Sequence, residues 1–363
     1  MTMTKQRLFL DIHAIQTLPP SNINRDDTGS PKTARYGGVQ RARVSSQAWK
    51  KAMRDYFKEF GALDNVGIRS LEIVRYLAHK IQDLSADMDF EEAMDLADKT
   101  INAAGVKTKD QRAKALFFLG DLQAEKLAQA ALDGVTDKKE LKAILKDNPA
   151  IDIALFGRMV ADDPSLNEDA SSQIAHAIST HAVQTEFDFY TAVDDFGKED
   201  NVGAGMLGTI EFNSSTLYRY ADVAVHEFLQ QLDGDQETLK RSLNLFLKAF
   251  LNSLPTGKVN TFANQTIPQA VLVSLRSDRP LSLVSAFESP VRAEDGFVKP
   301  SVDRLLAEVN KAEKLLDPAI ATFYLNLDGE ESDLDHVQTV DSLSQLQEAM
   351  DQQVSEQLDQ AGE

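Results

Sequence analysis

Cysteine is absent from all 363 residues, so the chain has no disulfide framework, no thiolate metal site and no thiol nucleophile. No run approaches the ~18 uninterrupted apolar residues of a membrane span, and the stretch from Met1 to Asp11 lacks the apolar segment of a signal peptide. A soluble, unexported, cytoplasmic chain with no membrane partner is expected. The familiar catalytic signatures GxSxG, Walker A and HExxH are missing too. Gly203 to Gly208 fits the letter of the dinucleotide fingerprint GxGxxG. Its glycines, however, precede a strand-like Thr209-Ile210-Glu211-Phe212 instead of opening a helix, so a flexible hairpin tip is the better reading. No cofactor is implied, and no internal repeat is evident.

What is present suffices for a large core. The hydrophobic fraction is 42%, and the length points to one substantial core carrying an insertion, or to two lobes. Charge is uneven. There are 38 basic against 57 acidic residues, a net charge of -19, which by itself argues against a nucleic-acid partner. Yet up to Arg54 the cations Lys5, Arg7, Arg25, Lys32, Arg35, Arg41, Arg43, Lys50, Lys51 and Arg54 are opposed only by Asp11, Asp26 and Asp27. Beyond Lys314 there is no Lys or Arg at all, and acidic residues accumulate into a solvated tail.

Alternation makes Leu8 to Ile15 a half-buried strand, with Leu8, Leu10, Ile12 and Ala14 on one face. Pro19 to Gly38 is an exposed loop that carries Arg25, Lys32 and Arg35. Gly61 to about Pro164 is almost wholly helical in pattern, with breaks near Gly105, Gly134 and Pro149. Phe187 to Tyr220 alternates aromatic and β-branched residues around a glycine-rich centre, the pattern of a protruding hairpin. Ala224 to Leu251 reads as a helix, Val271 to Leu275 as a strand and Ser301 to Leu316 as a helix. This order suits an α+β domain with an antiparallel sheet, of the RRM-like kind.

The most informative segment runs from Gly37 to Arg54. Ser45 or Ser46 can cap a helix whose buried face is Trp49, Ala52, Met53, Tyr56, Phe57 and Phe60. Gln47, Lys51, Arg54 and Lys58 form a stripe opposite, with Lys50 beside it. With Arg41, Arg43, Ser46 and the free N–H groups of the helix start, this would hold several phosphates without reading bases. On pattern alone, an ordinary solvated face is the simpler reading of the stripe. Asp26-Asp27, Asp194-Asp195 and the His176/His181 pair near Asp188 are candidate metal ligands, but a five-residue spacing does not align two histidines on a helix. Loop-capping aspartates are the simpler reading. Phe189, Tyr190 and Thr191, leading into the glycine-rich tip, would stack on bases or fill a core. In the helical stretch, Lys138, Lys142 and Lys146 recur every four residues with Lys139 beside them, opposite Leu141, Ile144 and Leu145.

Taken together, Asn24-Arg25-Asp26-Asp27, Gly37-Gly38 through Arg54, Asp152-Ile153-Ala154-Leu155-Phe156-Gly157-Arg158-Met159, Ala175-His176-Ala177-Ile178, Phe189 through Asp195, Tyr218-Arg219-Tyr220-Ala221 and Pro280-Leu281-Ser282 resemble the CasC (Cse4) family, through nearly the whole chain. That family supplies the guide-RNA-binding backbone subunit of type I-E Cascade, in the Cas-seven superfamily. The resemblance implies a modified RRM-like (ferredoxin-like) palm at 1–60 and 165–363, with a hairpin thumb at about 187–220 and a helical finger insertion at 61–164. It implies copies stacked along a CRISPR RNA, other Cascade subunits as partners, and bases displaced at intervals so that the rest pair with target DNA. Carried over by position, Arg25, Gln47, Lys50 and Arg54 hold guide-RNA phosphates, and Met159 with Phe189, Tyr190 and Thr191 meets the displaced base. Lys138, Lys139, Lys142 and Lys146, with Arg292 and Lys299, line the path of target DNA. Two departures from the family are Val39, where a basic residue often follows the paired glycines, and Glu294, in a segment expected to be more basic. No catalytic residue is implied. The rival from the same superfamily is a metal-dependent ribonuclease using Asp26, Asp27 or Asp194.

Overall fold

In the computed structural model, residues 7–61, 65–191 and 207–362 are described. Asp194, Asp195 and the Gly203 to Met206 part of the glycine-rich tip lie outside them. The chain folds into two units, one formed by 1–53, 174–222 and 246–363, the other by 54–173 and 223–245.

The first unit is built on a long strand, β1 (Phe9–Ser21). It pairs antiparallel with Ala270–Arg276, Ile12 facing Val273, and on its other side with the strand Leu207–Ala224. The sheet continues from Leu207–Ala224 through Ala177–Ser179 to β3 (Val39–Val44) and β2 (Thr33–Tyr36), and from Ala270–Arg276 to Ala321–Asn326 and a parallel edge, Val337–Thr339. It is an α+β fold with an antiparallel-dominated sheet. The alternation in β1 suggests one wet face, yet both are covered: Leu10, Ile12 and Ala14 are buried, and so are Asp11 and His13. The reason lies further along the chain, where Leu283, Phe287, Val302 and Leu305 pack with Ile15, Tyr218 and Tyr220 over that second face.

Polar side chains on a dry face need partners. Asp11 accepts the Tyr220 hydroxyl at 2.8 Å and the Leu281 N–H at 3.0 Å. His13 Nδ1 lies 2.9 Å from the Tyr218 hydroxyl, which accepts the Leu283 N–H at 2.9 Å. Burial pushes the Asp11 carboxyl up to about 8 and holds His13 down at about 3.

From β3 the chain enters α1 (Ser46–Phe60). Trp49, Met53 and Phe57 are buried as the spacing predicts, but Phe60 is exposed. Buried Arg219 packs over Trp49 at 3.8 Å and over Phe250 at 4.4 Å, and donates to Gln16 Oε1 at 2.5 Å. This fixes the first turns of α1 in its unit.

The second unit contains α2 (Ile73–Leu84), α3 (Phe90–Ala103), α4 (Asp121–Leu132), α5 (Lys138–Lys146) and α6 (Ile151–Phe156). Leu77, Ile81, Ala93, Ala97, Leu127, Ala128, Leu141 and Leu145 form its core, where the alanines let helices approach closely. Gly105 and Gly134 take φ of +101° and +74° just past α3 and α4, the left-handed stop that glycine favours. Two short ladders interrupt the expected helix: Ile68–Ser70 with Phe117–Leu119, and Thr108–Lys109 with Arg112–Ala113. The second turns on Asp110 and Gln111, both at positive φ, as a type I′ hairpin turn requires. The single helix expected from Ala224 to Leu251 is two, Val225–Gln231 and Gln236–Asn252. Asp233 and Gly234 turn at positive φ between them, and Asp235 accepts the N–H groups of Glu237 and Thr238 at the new start.

Asp11 gives a pH test with a defined sign. Its folded pKa lies above its ordinary value of 3.8, so the folded chain keeps a proton that the unfolded chain releases, and this group's contribution to stability falls as pH rises from about 4 to about 8. Asp11→Asn, which cannot ionise, is expected to compare more favourably with wild type at pH 9 than at pH 5 in urea midpoints. An equal difference at both pH values would mean that Asp11 is ionised in the fold.

Candidate nucleic-acid interface

The start of α1 is assembled from three pieces of the first unit. Ser45 caps the helix: its Oγ accepts the Ala48 N–H at 3.4 Å, and its own N–H donates to Asn24 Oδ1 at 2.8 Å. Asn24 also accepts the Lys32 N–H on its backbone oxygen, and Lys32 in turn accepts the Arg43 N–H, both at 2.9 Å. The loop from Asn24 to Lys32 is therefore stitched to the end of β3. Within it Asp26 Oδ1 accepts the N–H and hydroxyl of Thr28 at 2.9 and 2.7 Å and the Ser30 N–H at 3.0 Å. These bonds, the Thr28 hydroxyl foremost, hold its carboxyl below the usual range. Asp26 is occupied in shaping the turn that presents Arg25.

Around this junction cations gather. Arg25 is exposed; Arg43 is half-buried, its guanidinium 3.0 Å from His176 Nδ1 and donating to Thr33 O at 3.3 Å. Burial, then Arg43 and Lys32, lower the His176 pKa, so the three basic groups share one neighbourhood. Lys32 and His176 are the members that sequence reasoning missed as a set: pattern marks Lys32 only as a cation of the exposed loop, and His176 only as part of a quoted motif and of a candidate metal pair. Ser46 and Lys50 are half-buried, and Gln47 and Lys51 exposed, at the start of the helix. Burial lowers the Lys50 pKa. His181, paired with His176 on paper, is elsewhere engaged: its Nδ1 meets Ala182 O at 2.9 Å and its Nε2 accepts the Thr216 N–H at 3.0 Å.

Burial corrects two expected contacts, and two further cations carry ion pairs. Arg41 is fully buried: Nε donates to Tyr36 O at 3.2 Å, Nη1 to Ser179 O at 3.0 Å, and Nη2 to Phe287 O and Glu288 O at 2.8 and 3.3 Å. No edge of its fork reaches solvent. Arg54 is not on a wet stripe but buried, its Nε 3.1 Å from the fully buried Asp152 and its guanidinium 4.2 Å over Phe118. Lys142 turns to Asp163 at 2.5 Å and Ser165 at 2.8 Å, which holds the Asp163 carboxyl down at about 2. Exposed Lys299 is 2.8 Å from Glu330, and both line an open cavity of about 490 Å³ with Asp303, Glu331 and Asp333. Carboxylates in that number repel a phosphate chain. Lys138, Lys139 and Lys146 on α5 and Arg292 are exposed as expected.

Phe189, Tyr190 and Thr191 lie on Glu186–Thr191, which pairs antiparallel with the start of Leu207–Ala224. Every residue of the shorter strand is exposed. Phe187 and Phe189 share one face with Leu207, and Tyr190 lies on the other across from Gly208, where any Cβ would strike its ring. Met159, in the second unit, is 83% exposed. Among the described residues no group of three His, Asp or Glu is placed to hold a metal, and no helix is long and apolar enough to cross a membrane.

This α+β fold with a basic helix start and an exposed aromatic hairpin defines a recognisable class. The chain belongs to the CT1975-like protein family, whose pattern it matches over residues 10–352. Among solved structures it is similar to a chain of a "CRISPR RNA-guided surveillance complex, pre-nicking", at 33% identity and a TM-score of 0.82, covering 94% of this chain and 99% of that one. A chain of another "CRISPR RNA-guided surveillance complex" aligns at 30% identity and a TM-score of 0.65, covering 95% and 99%. No curated protein matches.

The structural reading of Arg41 is testable. Arg41→Ala strands several carbonyls in the dry interior at ~1–3 kcal/mol each, so a loss of roughly 3 kcal/mol or more is expected in urea unfolding. A variant of wild-type stability that no longer retains nucleic acid would return Arg41 to the phosphate-binding set.

Proposed function

We propose that the chain is a non-catalytic, guide-RNA-binding backbone subunit of a type I-E Cascade complex, of the CasC kind. Copies stack along a CRISPR RNA beside other subunits of the complex, hold its phosphates and displace bases at intervals. The observation that carries this reading is the basic junction at the start of α1. Arg25, Lys32, Arg43 and His176 are collected by Asn24 and Ser45 in a chain whose net charge is -19. A phosphate backbone is the ligand that such a local excess of donors fits, and it needs no base readout. Ser46, Gln47, Lys50 and Lys51 extend the contact along the helix. Phe189, Tyr190 and Thr191 on the hairpin, and Met159, offer exposed surfaces to a base turned out of the stack. Family membership and the alignment over 94% of the chain with a surveillance-complex subunit support the same role.

The ribonuclease reading draws on Asp26, Asp27 and Asp194. Asp26 is already an acceptor of three hydrogen bonds within its own turn, which favours a binding loop over a metal ligand.

Arg25→Glu with Lys32→Glu is expected to abolish guide-RNA protection in the co-expressed complex while the chain keeps its circular-dichroism spectrum. In the milder alanine pair, each lost contact should lower the salt slope of binding by about 0.7. Protection and slope at wild-type values would remove the junction from the interface, and a metal-dependent cleavage lost in Asp26→Ala would favour the ribonuclease.

For target DNA the proposal rests on Lys138, Lys139 and Lys146, three exposed cations on one short helix, with Arg292 as an isolated fourth. Weak contacts repeated along stacked copies add up. Replacing the three lysines by alanine is expected to weaken target-DNA binding most at low salt and to leave the guide in place. Unchanged DNA affinity at low salt would show that this face serves something else.

A further inference from the structure

Met159 is a large apolar side chain with 83% of its surface in solvent, yet the backbone on either side of it is held. Gly157, at φ +77°, closes α6 by donating its N–H to Ile153 O at 2.8 Å. Arg158 and Glu168 then exchange two backbone hydrogen bonds, at 3.0 and 2.8 Å. On the far side the Val160 N–H donates to Asn167 Oδ1 at 2.7 Å. The residue that does most is Arg158, whose side chain turns inward as that of Met159 turns out. It is buried, with Nε donating to Leu166 O at 2.9 Å, Nη1 to Phe118 O and Gln123 Oε1 at 3.2 Å each, and Nη2 to Leu145 O at 2.6 Å. Its guanidinium also lies 5.3 Å from the centre of the Phe117 ring.

Those acceptors come from four separate segments: the ladder at Phe117–Leu119, α4, the end of α5, and the turn at Leu166. One guanidinium thus ties the Met159 spur to the core of its unit from inside. A methionine side chain is flexible, so when it meets a partner its usefulness as a wedge depends on how firmly its Cα is held.

We infer that Arg158 is a positioning residue: it fixes the backbone at Met159 so that the exposed thioether acts as a rigid wedge against a displaced guide base. The inference rests on the base-displacing reading of Met159 given above. A lysine at 158 keeps the charge but has no fork to reach four acceptors, and it would leave the spur loose.

The test uses the full chain assembled on guide RNA that carries 2-aminopurine at a displaced position, whose fluorescence reports unstacking, with guide retention measured in parallel. Wild type is compared with Met159→Ala, Arg158→Lys and the double variant. Each single change is expected to lower the unstacking signal severalfold with the guide retained. The double variant should fall no lower than Met159→Ala, because both changes act through one side chain. Additive losses, or a wild-type signal in Arg158→Lys, overturn the inference while the Met159 reading stands. A wild-type signal in Met159→Ala overturns that reading and this inference with it. Should Arg158→Lys fail to fold, Asn167→Ala takes its place, since it frees the spur on its exposed side. It is expected to show the same Met159-dependent loss, and a wild-type signal there also overturns the inference.

Discussion

A guanidinium taken out of water must find acceptors for its N–H groups or destabilise whatever buries it. Five arginines among the described residues are buried, and four of them, Arg41, Arg54, Arg158 and Arg219, tie together segments that are far apart in sequence. Arg41 draws β3 to Ser179 and Phe287; Arg219 locks Trp49 to Phe250 and Gln16; Arg54 meets Asp152; Arg158 gathers the second unit. Because most of these acceptors are backbone carbonyls, each fork fixes chain paths more than side chains. The surfaces proposed to meet RNA hang from these anchors. Ser45 and Gln47 stand where they do because Trp49 is clamped, and Met159 is the neighbour of a clamp.

The same economy explains how a chain of net charge -19 can present a cationic face. Only short-range charge matters to a phosphate within a Debye length of about 8–10 Å. Loop geometry places Lys32, on the loop that exposes Arg25, and Arg43 beside His176, whereas Asp303, Glu330, Glu331 and Asp333 gather around a separate open cavity. Asp26, inside the basic loop, is turned into an acceptor for its own backbone.

Much of the architecture was legible because local rules decide it. Period two gave β1, period 3.6 gave α1 and α5, Asp137 capped its helix, and the glycines after α3 and α4 ended them. The glycine-poor ladder at Phe117–Leu119 was missed because a short apolar run reads alike in a strand and in a buried helix. The site was legible in part. Helical spacing sets Arg54 with Gln47 and Lys51, but Arg54 is also three residues, about 60° round, from buried Phe57. What turned it inward was Asp152, 98 residues away, and no local pattern carries that. Arg41 was misread for the same reason: in β3 it belongs to the covered face, and its acceptors lie 138 and 246 residues on.

A general asymmetry follows for reading such chains. Guanidinium is weakly hydrated and forked, so it is the cation that a fold most readily recruits to bind carbonyls from several segments, whereas ammonium is strongly hydrated and stays out. Here Lys51, Lys138, Lys139 and Lys146 remain exposed while the arginines of the quoted motifs at 41, 54, 158 and 219 are interior. Arg25 and Arg43 escape because of where they sit. One is on a loop whose own carbonyls are engaged by Lys32 and by the Asp26 turn, and the other is next to the edge strand β2, where Thr33 and His176 engage only part of its fork. An arginine in an acidic chain of this family is therefore better assigned to ligand or scaffold by counting the backbone carbonyls that the fold leaves beside it than by the polarity of its helix face.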